Sequence, residues 1–444
     1  MLYSHISQRL FHSLSVACSA KKQLQEYLKL LFRGAFFIVK ITKYSLVISA
    51  FMWVRFVGVS IENNGKSFII KVYICVCKGE VFMDKIIRIG IIGCGGIANG
   101  KHMPALKKVK GVEMVAFCDI VLERAGKAAE KFGVEGAKVY EDYKELLKDE
   151  TIDVVHVCTP NRSHSFITID SLEAGKHVMC EKPMAKTYAE AVAMCEAAER
   201  TGKKLSIGYQ NRQTPQNLYV KKCAENGDFG EIYYGKALAL RRRAVPTWGV
   251  FLNEYEQGGG PLIDIGTHAL DMTLWVMDNY EPEMVVGQTF RKLADQTNQG
   301  NAWGSWDPEK YTVEDSAFGF IKMKNGAVIN LESSWAINLA EYHEASYMIC
   351  GDKGGADTLD DQARINYIKN NRQCIEIPNL KAGGAAFFEG QSDGSPAEME
   401  ASSWIHAIRT DTDPVVLPRQ ALCVTRILEA IYESAKTGKP VYFD

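Results

Sequence analysis

A run of apolar residues that stops at a cluster of glycines constrains this chain more than any other feature. Residues 86–92 read IIRIGII, with Arg88 the one polar interruption. A strand so uniformly apolar is buried on both faces, as in a parallel sheet covered by helices. Gly93-Cys94-Gly95-Gly96-Ile97-Ala98 follows without a gap, the G-x-G-x-x-A form of the dinucleotide fingerprint. Gly93 permits the tight turn, Gly95 lets the backbone approach a pyrophosphate, and Ala98 lets the next helix pack against the strand. The free N–H groups of the helix start, around Gly96 and Ile97, favour phosphate.

Residues 112–118 (VEMVAFC) form a second strand that ends at Asp119, 24 positions after Gly95. A carboxylate there accepts hydrogen bonds from ribose hydroxyls and repels a 2′-phosphate. Ile120 and Val121 bring no cation, so NAD is expected over NADP. Helices over 125–132 and 143–148 and a buried strand over 152–158 continue the alternation. Thr159-Pro160-Asn161 breaks that strand at its carboxyl end, the edge where open α/β sheets take ligands. A helix over 164–174, a strand over 177–180 ending in Glu181-Lys182-Pro183, a helix over 187–200 and a strand over 205–209 complete a doubly wound sheet from about 84 to 208. Further on, 232–240, 317–323, 327–334 and 345–350 read as strands, and Asn325-Gly326 marks a hairpin.

Six segments stand in order: GIIGCGGIA at 90–98, CTPNRSH at 158–164, AGKHVMCEKPMA at 174–185, GGGPLIDIGTHALD at 258–271, VEDSA at 313–317 and GDKGG at 351–355. From Met83 onward, about four fifths of the chain, they resemble the Gfo/Idh/MocA oxidoreductases, the family of glucose–fructose oxidoreductase and inositol dehydrogenase. The resemblance implies an α/β protein. A Rossmann doubly wound parallel sheet would occupy 83–208, and a C-terminal α/β domain with a large, mostly antiparallel open sheet would occupy 209–444. That second sheet would bind substrate and serve as the surface of a homodimer or homotetramer.

Roles follow by the same resemblance. Lys182 and His268 would act as a coupled pair on the substrate hydroxyl proton, with Asp264 orienting the substrate and His268. Asp264 and His268 are four apart and share a face if the segment is helical. The Lys182–Pro183 bond is often cis in the family. Thr159, Pro160, Asn161, His164, Glu181, Lys182 and Gln210 would border the cofactor, and Asn211 and Arg212 the substrate. Taken singly, a lysine after a strand is ordinarily solvated surface, and a histidine near a helix start is ordinarily a cap or core residue. Their joint occurrence in family order is what assigns them chemistry.

The substrate is read from aromatic residues among polar ones. Arg241-Arg242-Arg243 precedes Trp248, and a loop over 291–312 carries Gln299, Asn301, Trp303, Trp306 and Asp307. Tryptophan faces cover the C–H patches of a sugar while polar neighbours bind its hydroxyls; loop packing or a subunit contact would use the same residues. Trp248 and Trp303 are therefore candidate substrate contacts, and the expected activity is hydride transfer at a ring hydroxyl, C3 among them, of a sugar or glycoside. An inositol dehydrogenase, a glycosidase that oxidises transiently on NAD, and a non-catalytic sugar or NAD sensor are the alternatives. A complete Lys182, Asp264 and His268 set argues against the last.

Composition narrows the partners. The formal charge of −1 gives no attraction to nucleic acid or anionic membrane. The twelve cysteines are scattered, which fits a reducing, cytoplasmic setting, and Cys75-x-Cys77 has no second pair to complete a metal site. Residues 1–82 differ in kind: eight lysines and three arginines against three acids give +8, leaving −9 for the rest. Their longest uncharged stretch within the apolar run, 44–54, is too short for the ~20 residues of a spanning helix. This segment is expected to be an atypical extension outside the enzyme that starts at Met83, an upstream translation absent from the working protein, with a basic membrane-surface anchor as the alternative.

Overall fold

The computed structural model describes residues 86–296, 300–380 and 394–443, together with the backbone of four strands between 37 and 75. The chain divides into two units, 1–85 and 86–444. In the first, Phe37–Thr42 pairs antiparallel with Ser45–Ala50, and Arg55–Asn63 with Phe68–Cys75. The remainder of the expected extension lies outside the described residues, as do Cys77 and Gln299.

The second unit holds two sheets. Strands β1 (Ile87–Ile92), β2 (Val112–Cys118), β3 (Lys138–Tyr140), β4 (Val154–Val157), β5 (His177–Cys180) and β6 (Leu205–Ile207) form a six-stranded sheet in the order β6-β5-β4-β1-β2-β3. Every pairing in it is parallel. The order reverses between β1 and β4, and ligands of such sheets bind at that switch point. β4 is buried along its whole length, as its VVHV sequence demands. The intervening helices start on local signals. In α5 (Tyr188–Thr201), Thr187 and Glu190 form a capping box, and Gly202 closes the other end in the left-handed conformation.

The second sheet has nine strands. β7 (Ile232–Leu240), β8 (Pro282–Phe290), β9 (Ser316–Met323), β10 (Val328–Ser334), β11 (Ser346–Gly351), β12 (Gly354–Asp357), β13 (Arg364–Lys369), β14 (Arg372–Glu376) and β15 (Val441–Tyr442) run in the order β14-β13-β12-β11-β7-β10-β9-β8-β15. All neighbours are antiparallel except β7 and β10. The expected hairpin joins β9 to β10, where the Asn325 side chain accepts the Ala327 N–H. Helix α8 (Thr267–Met277) packs on β7, and α10 (Pro418–Thr437) on β8.

The first sheet ends at Ile207 and the second begins at Ile232, but one later helix returns to the first. α9 (Pro396–Thr410) buries Ala401, Trp404 and Ile405 in the same cluster as Ile87, Ile89 and Phe117 of the first sheet.

The parallel pair β7 and β10 decides where the site lies. Leu240 is in register with Ser334, so both strands end at one edge and place Arg241 beside Trp335. Backbone bonds from Arg241 N to Ser334 O (2.8 Å) and from Ala244 N to Trp335 O (2.9 Å) carry the pairing past the strand ends.

Candidate active site

The first wall of the site is the turn after β1. A Cβ on Gly93 would lie 2.7 Å from the Cys158 carbonyl carbon and oxygen, backbone atoms that cannot yield, and φ there is +90°. Only glycine fits. Gly95 and Gly96 face open space, with nothing within 4 Å of a built Cβ. Ile97 is exposed beside them, and Ala98 is buried at the start of a helical turn, Ala98–His102. Asn99, which the motif did not single out, donates to the Cys94 and Gly95 carbonyls at 2.8 and 3.0 Å and braces the loop.

Asp119 stands at the end of β2 as expected. One carboxylate oxygen accepts the Cys94 N–H and the other the Val121 N–H, each at 2.9 Å, which fixes the side chain against the fingerprint. Arg124 approaches to 3.9 Å, a cation that inspection of Ile120 and Val121 alone did not find.

The second wall joins the ends of β4, β5 and β6. The Lys182–Pro183 bond is cis. Thr159 has a buried hydroxyl without a hydrogen-bond partner, Pro160 is exposed, and the Asn161 amide donates to the Gln257 carbonyl at 3.0 Å. His164 is buried and sits between the Thr159 and Pro183 carbonyls at 2.8 Å each, so it ties two loops together. The Glu181 carboxylate is likewise engaged inside the domain, by Lys101 and His102. Gln210 and Asn211 are half-buried on the turn Gln210–Gln213 after β6.

Arg212, on that same turn, does not join the site. Its guanidinium is fully buried and donates to both Asp271 oxygens, at 2.6 and 2.9 Å, and to Gln420 at 2.7 Å. The expectation of a substrate contact there is corrected: a strand-end cation has turned inward to neutralise a helix carboxylate.

The reacting groups come from the third wall. Gly258-Gly259-Gly260-Pro261 leads into a helical turn, Leu262–Gly266, that runs on into α8. The glycines are dictated by close approach. A Cβ on Gly259 would lie 2.0 Å from the Tyr432 hydroxyl, and one on Gly260 would lie 2.2 Å from the Glu314 carbonyl. The Glu314 side chain accepts the Gly260 and Leu262 N–H groups and the Tyr432 O–H at 2.8, 3.2 and 2.8 Å, which holds the helix entrance.

Asp264 and Lys182 are thereby brought together. Lys182 Nζ donates to the Asp264 carbonyl at 2.8 Å and to Oδ1 at 3.0 Å. Trp335 Nε1 donates to Oδ2 at 3.0 Å, a contact between residues 71 apart that sequence reading missed. Burial would raise the Asp264 carboxyl, but Lys182, Arg241 and the two hydrogen bonds hold it below its ordinary range. An ammonium has three donors, and Asp264 engages two of Lys182's.

His268 lies one turn on, its ring edge-to-face with Tyr209 at 6.0 Å. Its Nδ1 is buried with no hydrogen-bond partner. Burial, and then the charge of Lys182, push its pKa down to about 3, so the imidazole is neutral.

The mouth is aromatic. Trp248 and Trp303 meet edge-to-face at 4.8 Å, and the Arg241 guanidinium lies 5.3 Å from the Trp303 ring. Arg241 also pairs with Glu344. Asn301 bonds Val245 through both backbone groups, at 2.8 and 3.0 Å, and Thr247 donates to the Trp303 carbonyl at 2.6 Å, so the two tryptophans are held as one ledge. They remain 49% and 43% exposed, a cost to the folded state that a ligand would relieve.

Residues 87–209 match the oxidoreductase family described as having an NAD-binding Rossmann fold (GFO_IDH_MocA), and residues 221–443 match its C-terminal alpha/beta domain. The chain belongs to the Gfo/Idh/MocA oxidoreductases. The D-glucoside 3-dehydrogenase of Escherichia coli (strain K12) is 37% identical over 355 residues, 80% of this chain and 97% of that protein. The glucose-6-phosphate 3-dehydrogenase of Bacillus subtilis (strain 168) is 31% identical over 362 residues, 80% of this chain and 98% of that protein. A levoglucosan dehydrogenase solved in complex with NADH has a TM-score of 0.68 at 23% identity, covering 80% of this chain and 98% of its own.

The residues present fit the NAD that this oxidoreductase family binds. The space over Gly95 and Gly96 admits a pyrophosphate, and the Thr159 hydroxyl, on the loop that packs against Gly93, is a buried polar atom without a partner. Among the described residues there is no helix long and apolar enough to cross a membrane and no cluster suited to a metal ion.

Proposed function

We propose that this oxidoreductase transfers hydride between a ring carbon of a D-glucoside, C3, and NAD. One observation carries the chemistry: Lys182, held by Asp264 with a donor to spare, stands with a neutral His268 whose Nδ1 is unpartnered. NAD, held by residues 93–98, Asp119 and 159–161, supplies the hydride acceptor. Lys182 Nζ donates to the substrate hydroxyl oxygen and lowers its pKa, and the neutral imidazole of His268 is the form that takes a proton. Asp264 fixes Lys182 and, through Trp335, ties it to the sheet edge that carries Arg241. The exposed Trp248–Trp303 ledge supports a sugar, since its faces suit pyranose C–H patches. The choice of C3 rests on two relatives matched over nearly their whole length and named as 3-dehydrogenases.

The test is a panel of methyl glucosides, free hexoses and inositols with NAD, read by NADH absorbance and product identification. A 3-keto glucoside is the expected product. Turnover on inositols alone would overturn the choice, and release of methanol without net NADH would favour a glycosidase. The braced Asp119 supports NAD over NADP, and kcat/KM for NAD is expected to exceed that for NADP. Arg124→Ala should then leave NAD use unchanged.

Two wider readings accompany this one. The open face of the nine-stranded sheet exposes Val286, Phe290 and Phe320, which supports a homodimer or homotetramer through that face. Light scattering of the protein and of Phe320→Asp tests it. The nine described cysteines are free thiols, which supports a reducing, cytoplasmic setting.

A further inference from the structure

We propose that Glu181, clamped by Lys101 and His102, is the positioning residue that fixes the backbone of Lys182, and so ties the catalytic lysine to the turn that bears the cofactor loop. The proposal rests on the catalytic reading of Lys182 given above.

Glu181 is adjacent to Lys182, yet its carboxylate points into the first domain. One oxygen accepts from Lys101 Nζ at 2.7 Å and from His102 Nε2 at 2.6 Å; the other accepts the backbone N–H of Lys182 at 3.0 Å. All three side chains are at least nine-tenths buried. Room for the carboxylate is made by Gly208 at the end of β6, where a Cβ would lie 3.0 Å from a Glu181 oxygen. Lys101 and His102 close the turn Ala98–His102, which begins directly after the fingerprint loop. A displacement of that loop is therefore passed to Lys182 through two strong contacts and one carboxylate.

A carboxylate only accepts, so His102 Nε2 carries a proton. His102 Nδ1 and His156 Nδ1 lie 2.9 Å apart and share one proton between them, and His156 Nε2 is buried without a partner. His156 is kept uncharged, by burial first and then by His102 and Lys101. Burial would raise the Glu181 carboxyl, but Lys101 and His102 hold it well below its ordinary range. The charged and titratable groups around it include Lys101 and His102 on the turn, His156 on β4, Glu400 on α9 (2.9 Å from Lys101) and the Cys158 thiol, and its charge is also felt at His268.

The experiment uses the full chain with a methyl D-glucoside and NAD. Glu181→Gln keeps an acceptor for the Lys182 N–H but deletes the anion. It should lower kcat about tenfold, with KM for the glucoside within about twofold, because a neutral amide holds Lys101 and His102 less firmly than a carboxylate. His102→Leu frees one side of the clamp and should lower kcat about tenfold, with KM for the glucoside within about twofold. His102→Gln, whose amide reaches the same place as Nε2, should recover most of that loss. Wild-type kcat in folded Glu181→Gln, or equal damage in His102→Leu and His102→Gln, would overturn the proposal. Where His102→Leu does not fold, the kcat of Glu181→Gln decides alone. If that variant does not fold either, ring-nitrogen NMR of the wild type decides, and a His102 Nε2 without a proton overturns the clamp. Lys182→Met separates the layers. If it turns over normally, the catalytic reading falls and this proposal with it. If it is inactive while Glu181→Gln matches wild type, only this proposal falls.

Discussion

At the scale of single residues, burial is what gives each ionisable group its task. His268 stays neutral because the interior and the Lys182 charge both disfavour imidazolium, pushing its pKa down to about 3. His268→Ala should therefore lower kcat by roughly 10²–10⁴-fold, the usual weight of a positioned acid–base group, with KM for NAD little changed. Near-normal turnover at saturating glucoside would remove His268 from the mechanism. Arg212 makes the opposite case. Its ion pair with Asp271 lies wholly inside, so Arg212→Met leaves a buried carboxylate alone and should cost about 3–5 kcal/mol of stability. Kinetic constants of the folded fraction should stay as they are, and adding Asp271→Leu should restore much of the lost stability. Urea melts of the single and double variants would check both statements. Arg212 was misread because polar residues after a strand commonly face a ligand, and its partner lies 59 positions away on α8.

The element that matters most is the segment from Gly258 to His268. Its shape is imposed from outside, by the Tyr432 hydroxyl and the Glu314 carbonyl against two glycines and by the Glu314 carboxylate on two N–H groups. Gly260→Ala would force Cβ into a backbone oxygen, so the entrance must move and Asp264 with it. A stability loss of about 1–3 kcal/mol and a kcat loss exceeding what that instability explains are expected. Gly126→Ala is the control. It sits within helix α2 (Leu122–Phe132) with nothing near its Cβ, and should stabilise by about 0.5–1 kcal/mol without touching kinetics. This segment also shows what was legible beforehand. The resemblance grouped Asp264 and His268 with Lys182, and apolar runs located β5 and β7 at the bounds observed, because strand periodicity is local in the chain. Trp335, Glu314, Tyr432, Lys101 and His102 were not found. Each acts on a residue tens of positions away, and such pairings leave no periodicity to read.

At the scale of the whole molecule, the histidines predict the acid limit of the fold. His156, His164, His177 and His268 are all depressed, chiefly by burial, His177 to about 4 and His268 to about 3. His177 shows the geometric reason: its Nδ1 accepts the Lys204 N–H at 3.0 Å, which requires the neutral ring. In the unfolded chain each would titrate near the ordinary 6.5. As pH falls below 6.5 the unfolded state therefore binds protons that the native state refuses, and stability drops by up to about 1.4 kcal/mol per pH unit for each histidine. Glu314 opposes this. Its carboxyl is raised to about 7 by burial, so the native state holds the extra proton between about 4.5 and 7, and the stability it contributes is present at low pH and gone above 7. Asp271, also raised by burial, acts in the same sense. The four histidines outnumber these two carboxyls, so the urea midpoint should be highest above pH 7 and fall steeply between 6.5 and 5. His177→Asn, which replaces the acceptor with a group that does not titrate, should flatten the slope. A midpoint constant from pH 7 to 5 would show that the four rings are accessible to protons in the native protein, and would take the neutral His268 of the proposed mechanism with it.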